Sequence, residues 1–148
     1  AKALIKAGGE ALLLRTNANG SSCLFIACQE GHLEVCKMLV ETGGEALLLI
    51  TNINGVSCLY IACLNDHFEI AKVLIKAGGK DLVLKMNTDG CSCLDVACHR
   101  GQLEIAKALI RAGGEALLRS SGTDGCSCLH IACQNGHRDI VKALIRAG

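Results

Sequence analysis

The chain repeats itself every 35 residues, and this period constrains its fold more than any other feature. Gly20, Gly55, Gly90 and Gly125 fall in register, as do Leu24, Leu59, Leu94 and Leu129, and Ala27, Ala62, Ala97 and Ala132. Residues 90–113 and 125–148 share most of their identities. A fixed period of this length is the mark of a solenoid. Each unit is too small to bury its own apolar faces, and stacking against neighbours buries them.

Within a unit the pattern predicts two helices. The first runs from about Ser22 to Glu30, with counterparts 35, 70 and 105 residues on. Ser22, Ser57, Ser92 and Ser127 stand where a hydroxyl can accept from an orphan helix N–H. Gly31, Gly101 and Gly136 fit the left-handed residue that stops such a helix, and Asp66 replaces glycine in the second unit. The stretch Leu24-Phe25-Ile26-Ala27-Cys28 is apolar all round, so this helix is expected to be buried from several sides.

The second helix is predicted from about Leu33 to Thr42, ended by Gly43-Gly44. Its polar residues form one stripe at spacings of three and four: Glu34, Lys37 and Glu41, then Glu104, Lys107 and Arg111 two units on. The tail Glu45-Ala46-Leu47-Leu48-Leu49 is read as an extra helical turn rather than a long strand. The connector Thr51-Asn52-Ile53-Asn54-Gly55 follows it.

Composition narrows the chemistry. Hydrophobic residues make up 51% of the chain but only Phe25, Phe68 and Tyr60 are aromatic, so Leu, Ile, Val, Ala and Cys must build the core. With 15 basic and 14 acidic residues there is no net field to favour nucleic acid or an anionic membrane, and three aromatics make no stacking platform. No apolar run approaches the roughly 18 residues of a membrane span. The hydrophobic opening, Ala1 to Leu14, recurs at Cys36 to Leu49 and so reads as repeat rather than signal peptide.

At these residues the chain resembles the ankyrin repeat family, whose period is about 33 residues and whose signature is T-P-L-H-x-A. Ser22-Cys23-Leu24-Phe25-Ile26-Ala27 and Ser127-Cys128-Leu129-His130-Ile131-Ala132 stand for the signature, and Gly31-His32 and Gly136-His137 for the Gly-His pair that follows it. The resemblance covers the whole chain and implies an all-α solenoid of stacked helix–turn–helix repeats. One array then occupies residues 1–148: a partial repeat at 1–16, full repeats at 17–51, 52–86 and 87–121, and a last repeat at 122–148 that stops after its second helix.

The departures are equally informative. Cysteine takes the usual proline position in all four units, and the chain has no proline. The usual histidine occurs only at His130; Phe25, Tyr60 and Asp95 stand at the equivalent points, which places any network built through that histidine in question. The two extra residues per unit are assigned to the Gly-Gly-Glu-Ala-Leu-Leu tail.

Eleven cysteines suggest a disulfide scaffold, but the count is odd and most fall in two columns: Cys23, Cys58, Cys93 and Cys128, then Cys28, Cys63, Cys98 and Cys133. Packed helices lie about 8–10 Å apart, whereas a disulfide needs Cα atoms within about 7 Å, so neighbours within a column should not bond. Cys91-Ser92-Cys93 with Cys126-Ser127-Cys128 is the best candidate for metal, yet it lacks zinc-ribbon spacing. The favoured reading makes the cysteines small buried hydrophobes, with no cofactor, in a reducing intracellular compartment, most simply the cytoplasm. His32, His67 and His137 recur as turn or packing residues; His99 and His130 are singular and could meet a ligand. Four equivalent cysteines argue against a unique nucleophile, and no phosphate-binding glycine motif is present.

By the resemblance, partners meet the connector tips and the exposed edges of the first helices. Those positions are Ala18, Asn19 and Ser21; Ile53, Asn54 and Val56; Thr88, Asp89 and Cys91; and Thr123, Asp124 and Cys126. The helix-edge members are Gln29, Glu30, Leu64, Asn65, His99, Arg100, Gln134 and Asn135. These vary while packing residues stay fixed, as a tailored recognition surface would, and as neutral drift at exposed sites would too. The expected function is a non-catalytic scaffold for protein partners. Its rivals are a structural connector contacted through its ends and flanks, where Leu4, Ile5, Ile140 and Leu144 belong to helices expected to have an uncovered side, and a thiol-based metal or redox module. Further repeats or other chains are expected to cover the ends.

Overall fold

Serine starts every first helix in the computed structural model, which describes residues 9–122 and 125–148; the helix expected over Ala1–Gly8 lies outside the described residues. Ser22, Ser57, Ser92 and Ser127 accept from the N–H of Phe25, Tyr60, Asp95 and His130 at 3.0–3.3 Å. The short helices that follow are α2 (Cys23–Glu30), α4 (Cys58–Leu64), α6 (Cys93–Arg100) and α8 (Cys128–Gln134). Gly31, Gly101, Gly136 and Asp66 all take positive φ just after them, as expected.

The second helices are α3 (Leu33–Leu48), α5 (Phe68–Val83), α7 (Leu103–Arg119) and α9 (Arg138–Ala147); α1 (Glu10–Leu13) is the tail that precedes the first connector. Each Gly-Gly pair interrupts its helix without ending it. Gly44 sits at φ 60, ψ −158, a region essentially reserved for glycine. Gly43 stays helical, and a Cβ there would collide with the Leu47 side chain. The first glycine therefore gives the tail room to fold back, and the second supplies the bend. Beyond the bend the tail makes the helical turn predicted for it. Among the described residues there are no strands, only four isolated antiparallel bridges, such as Thr51 to Ser57, which pinch each connector into a tip.

Every first helix packs on the next first helix, every second helix on the next second, and the two helices of a pair on each other. This is the stacked-pair solenoid that the resemblance implies. Leu24, Leu59 and Leu94 are fully buried, and Ala62, Ala97 and Ala132 let the backbones close up behind them. The outer stripe carries weak ion pairs, Lys37–Glu34 at 3.6 Å, Lys72–Glu69 at 3.7 Å and Lys107–Glu104 at 3.9 Å, all solvent-exposed.

Ile140 and Leu144 are 1% and 5% exposed, because α9 turns them onto α7. The uncovered apolar residues there are Leu129 and Ile145, on the side facing away from the stack. Val35, in α3, is 43% exposed, whereas its counterparts Ile70 and Ile105 are buried. Leu4 and Ile5 lie outside the described residues.

Candidate protein-binding trough

The connector tips are built by asparagine. Asn17 Oδ1 accepts from the N–H of Asn19 and Ser21, Asn52 from Asn54 and Val56, and Asn87 from Asp89 and Cys91, all at 2.9–3.0 Å. The side chain thus imitates a backbone turn. Successive tips are also tied together: Ile53 N–H donates to Asn19 O and Thr88 N–H to Asn54 O, both at 3.0 Å. At Gly20 a Cβ would meet the Ile53 nitrogen at 3.0 Å, so glycine keeps this close approach open.

Between the tips and the first helices runs a trough made of two adjoining cavities that share Tyr60 and Leu64. One, of about 430 Å³, is lined by Asn19, Ser21, Phe25, Ile26, Gln29, Ile53, Asn54, Val56 and Ile61, with Asn17 and Asn52 behind them. The other, of about 250 Å³, is lined by Cys91, Asp95, Val96, His99, Arg100, Ile131 and Gln134. The second cavity is walled mainly by apolar surface, while the first mixes apolar and polar groups in similar measure. Ile53 stands 68% exposed on a tip.

Of the residues singled out in the sequence, Asn19, Ser21, Gln29, Ile53, Asn54, Val56, Leu64, Cys91, His99, Arg100 and Gln134 line this trough. Ser21 is nearly enclosed there. Ala18, Glu30, Asn65, Thr88, Asp89, Cys126 and Asn135 line neither cavity. Of these, Asn65 donates through its side chain to Gln29 O at 3.1 Å and so bridges two first helices. Thr123 and Asp124 lie outside the described residues. Ile26, Val96 and Ile131 were missed because they read as core, and Tyr60 because it was read only as a replacement for the usual histidine. Their spacing of three or four from the variable edge residues was the available signal.

The position of the usual histidine is resolved unit by unit. His130 Nδ1 accepts from Ser127 N–H at 3.1 Å. Asp95 does the same work with a carboxylate, Ser92 N–H to Oδ2 at 2.9 Å. Phe25 and Tyr60 have no such acceptor, and Tyr60 instead takes Asn87 Nδ2 on its hydroxyl at 3.4 Å. Burial raises the Tyr60 phenol above its usual range, and the nearby acidic groups add to this. The recurring histidines join neighbouring first helices: His67 to Gln29 O at 3.2 Å and His137 to His99 O at 3.0 Å.

The cysteines pack, and they also do something that column spacing did not reveal. None of the eleven is in a disulfide, and seven are buried. Thiols also neighbour one another along a diagonal, Cys28 with Cys58, Cys63 with Cys93, and Cys98 with Cys128, so that the second column of one unit influences the first column of the next. Cys28 also meets Cys36 at 3.7 Å. The hydrogen bonds to Cys36 and Cys58, with burial, hold the Cys28 thiol far above the ordinary range. Among the described residues no three His, Cys, Asp or Glu side chains converge as metal ligands would. No described helix is long and apolar enough to cross a membrane.

The family described as ankyrin repeats (3 copies) matches residues 1–86 and again 79–148. No curated protein matches the chain.

Proposed function

Because the chain belongs to the ankyrin repeat family, we propose that it is a non-catalytic scaffold that holds a protein partner in the trough between its connector tips and first helices. Members of this family are typically protein–protein interaction modules. The observation that carries the reading is the trough itself, a groove extending from the first tip to the last first helix, with Ile26, Tyr60, Leu64 and Ile131 along it. Apolar surface edged by hydrogen-bonding side chains is what a partner segment can desolvate while its polar groups stay paired. The thiols suit a reducing compartment, and we place the protein in the cytoplasm on that ground.

Photo-crosslinking tests this. A benzophenone amino acid at position 53 should capture a partner that the same group at position 69, on the outer stripe, does not. Loss of that capture in Leu64→Glu supports the trough; equal capture from 53 and 69 refutes it. A second reading makes the chain a connector in a larger assembly, met through its flanks, where Ile145 is exposed. Capture from position 145 alone would support that one.

A further inference from the structure

Cys36 stands outside the two cysteine columns. Its counterparts 35, 70 and 105 residues on are Ala71, Ala106 and Val141. Ala71 and Ala106 are fully buried, so a methyl group satisfies the fold there, and the sulfur of Cys36 is an addition peculiar to this unit. That sulfur lies 3.7 Å from the sulfur of Cys28, and both residues are fully enclosed. Cys28 belongs to α2 and Cys36 to α3, so the contact joins the two helices of one pair across the Gly31-His32 turn. It is made inside one unit and does not depend on a neighbouring one. Cys63 and Cys98, the counterparts of Cys28, are as deeply buried but have alanine at the position of Cys36.

We propose that Cys28 and Cys36 form a buried dithiol that hydrogen peroxide converts to a disulfide joining α2 to α3. Peroxide is little larger than water and carries no charge, so brief local openings of the helix pair admit it where a bulky or charged oxidant stays out. The Cys36 thiolate attacks one peroxide oxygen. An S–O bond forms, the O–O bond breaks, and the departing hydroxide takes the proton that Cys36 gave up and leaves as water. Cys28 then attacks the Cys36 sulfur. The S–S bond forms, the S–O bond breaks, and the second hydroxide leaves as water with the Cys28 proton. Two thiols are oxidised to one disulfide, and one peroxide is reduced to two waters. The thiols and the disulfide are all neutral, so the change strands no charge in the core. The sulfurs already touch, and only the step from contact to a bond of about 2 Å remains. The hydrogen bond with Cys28 also holds the Cys36 thiol below its ordinary range, which makes Cys36 the attacking sulfur and Cys28 the one that closes the bond.

The test treats the folded, reduced chain with hydrogen peroxide and maps its peptides without reduction. Cleavage after Glu30 and Glu34 separates the two cysteines, so the link is read as two joined peptides, with fragmentation telling Cys28 from Cys23. A Cys28–Cys36 link should form while Cys63 and Cys98 stay thiols. Cys36→Ala installs the residue that the next two units carry, so it should fold as the wild type does by circular dichroism and leave Cys28 a thiol. In Cys28→Ala, Cys36 should stop at the sulfenic acid, which dimedone captures. The proposal fails if Cys28 and Cys36 remain thiols while the exposed Cys23 and Cys133 are oxidised. It fails equally if Cys28 links to Cys58 instead, if Cys63 and Cys98 are oxidised as fast, or if Cys28 is oxidised no less in Cys36→Ala.

Discussion

The Cys58 thiol donates to the carbonyl of Leu48 across 3.5 Å. Leu48 is the last residue of α3, and the final carbonyls of a helix lack partners inside it. The same bond joins Cys23 to Leu13 O at 3.6 Å. This gives a physical reason for cysteine at a position where the family usually has proline. The longer tail, closed by its Gly-Gly bend, brings a carbonyl over the start of the next first helix, and proline has no donor to offer it.

Cys58→Ala should therefore destabilise the stack by about 1–2 kcal/mol, from the lost donor and the small cavity left behind. Urea unfolding followed by circular dichroism measures this. Cys133→Ala, at an exposed counterpart of the second column, should leave the midpoint nearly unchanged.

The bend makes a separate prediction. Gly44→Ala forces a Cβ into a backbone region that only glycine occupies comfortably, although nothing lies within 4 Å of it. The cost is backbone strain of about 1–3 kcal/mol. A neutral result in urea would mean that the tail does not bend there.

Alkaline pH should loosen the protein. Tyr60 and the fully buried Cys93 hold their protons more tightly in the folded state than in the unfolded chain. The unfolded chain gives up these protons first, so stability is full below the ordinary thiol range of about 8.5 and falls as pH rises through it and past the phenol range. Tyr60 is the only tyrosine, so the long-wavelength phenolate band, where thiolates do not absorb, reports it alone. Its folded-state midpoint should lie above that of the urea-unfolded chain.

Most of the fold was legible because it rests on local rules repeated four times. The serine caps, the left-handed Gly31 and Asp66, and the two-helix unit each follow from a few adjacent residues. What escaped was relational. The diagonal of Cys28 with Cys58 depends on the rise and offset between units, and comparing positions 35 apart looks only down a column. The trough was half visible: its variable edges, such as Gln29 and Arg100, were marked, while Ile131 looked like core because its unit shares an apolar pattern with the interior, and Tyr60 was read only as a replacement for the usual histidine.

The account turns on whether a partner occupies the trough. Once a partner has been identified by crosslinking, its affinity should be measured for the wild type, for the trough variant Ile53→Glu with Leu64→Glu, and for the end variant Ile145→Glu. Placing two carboxylates in the apolar groove should weaken binding by about tenfold or more, as removal of a central anchor does, while the end variant binds as the wild type does. Unchanged affinity in the trough variant with a large loss in Ile145→Glu would contradict the trough and assign the partner to the end of the stack.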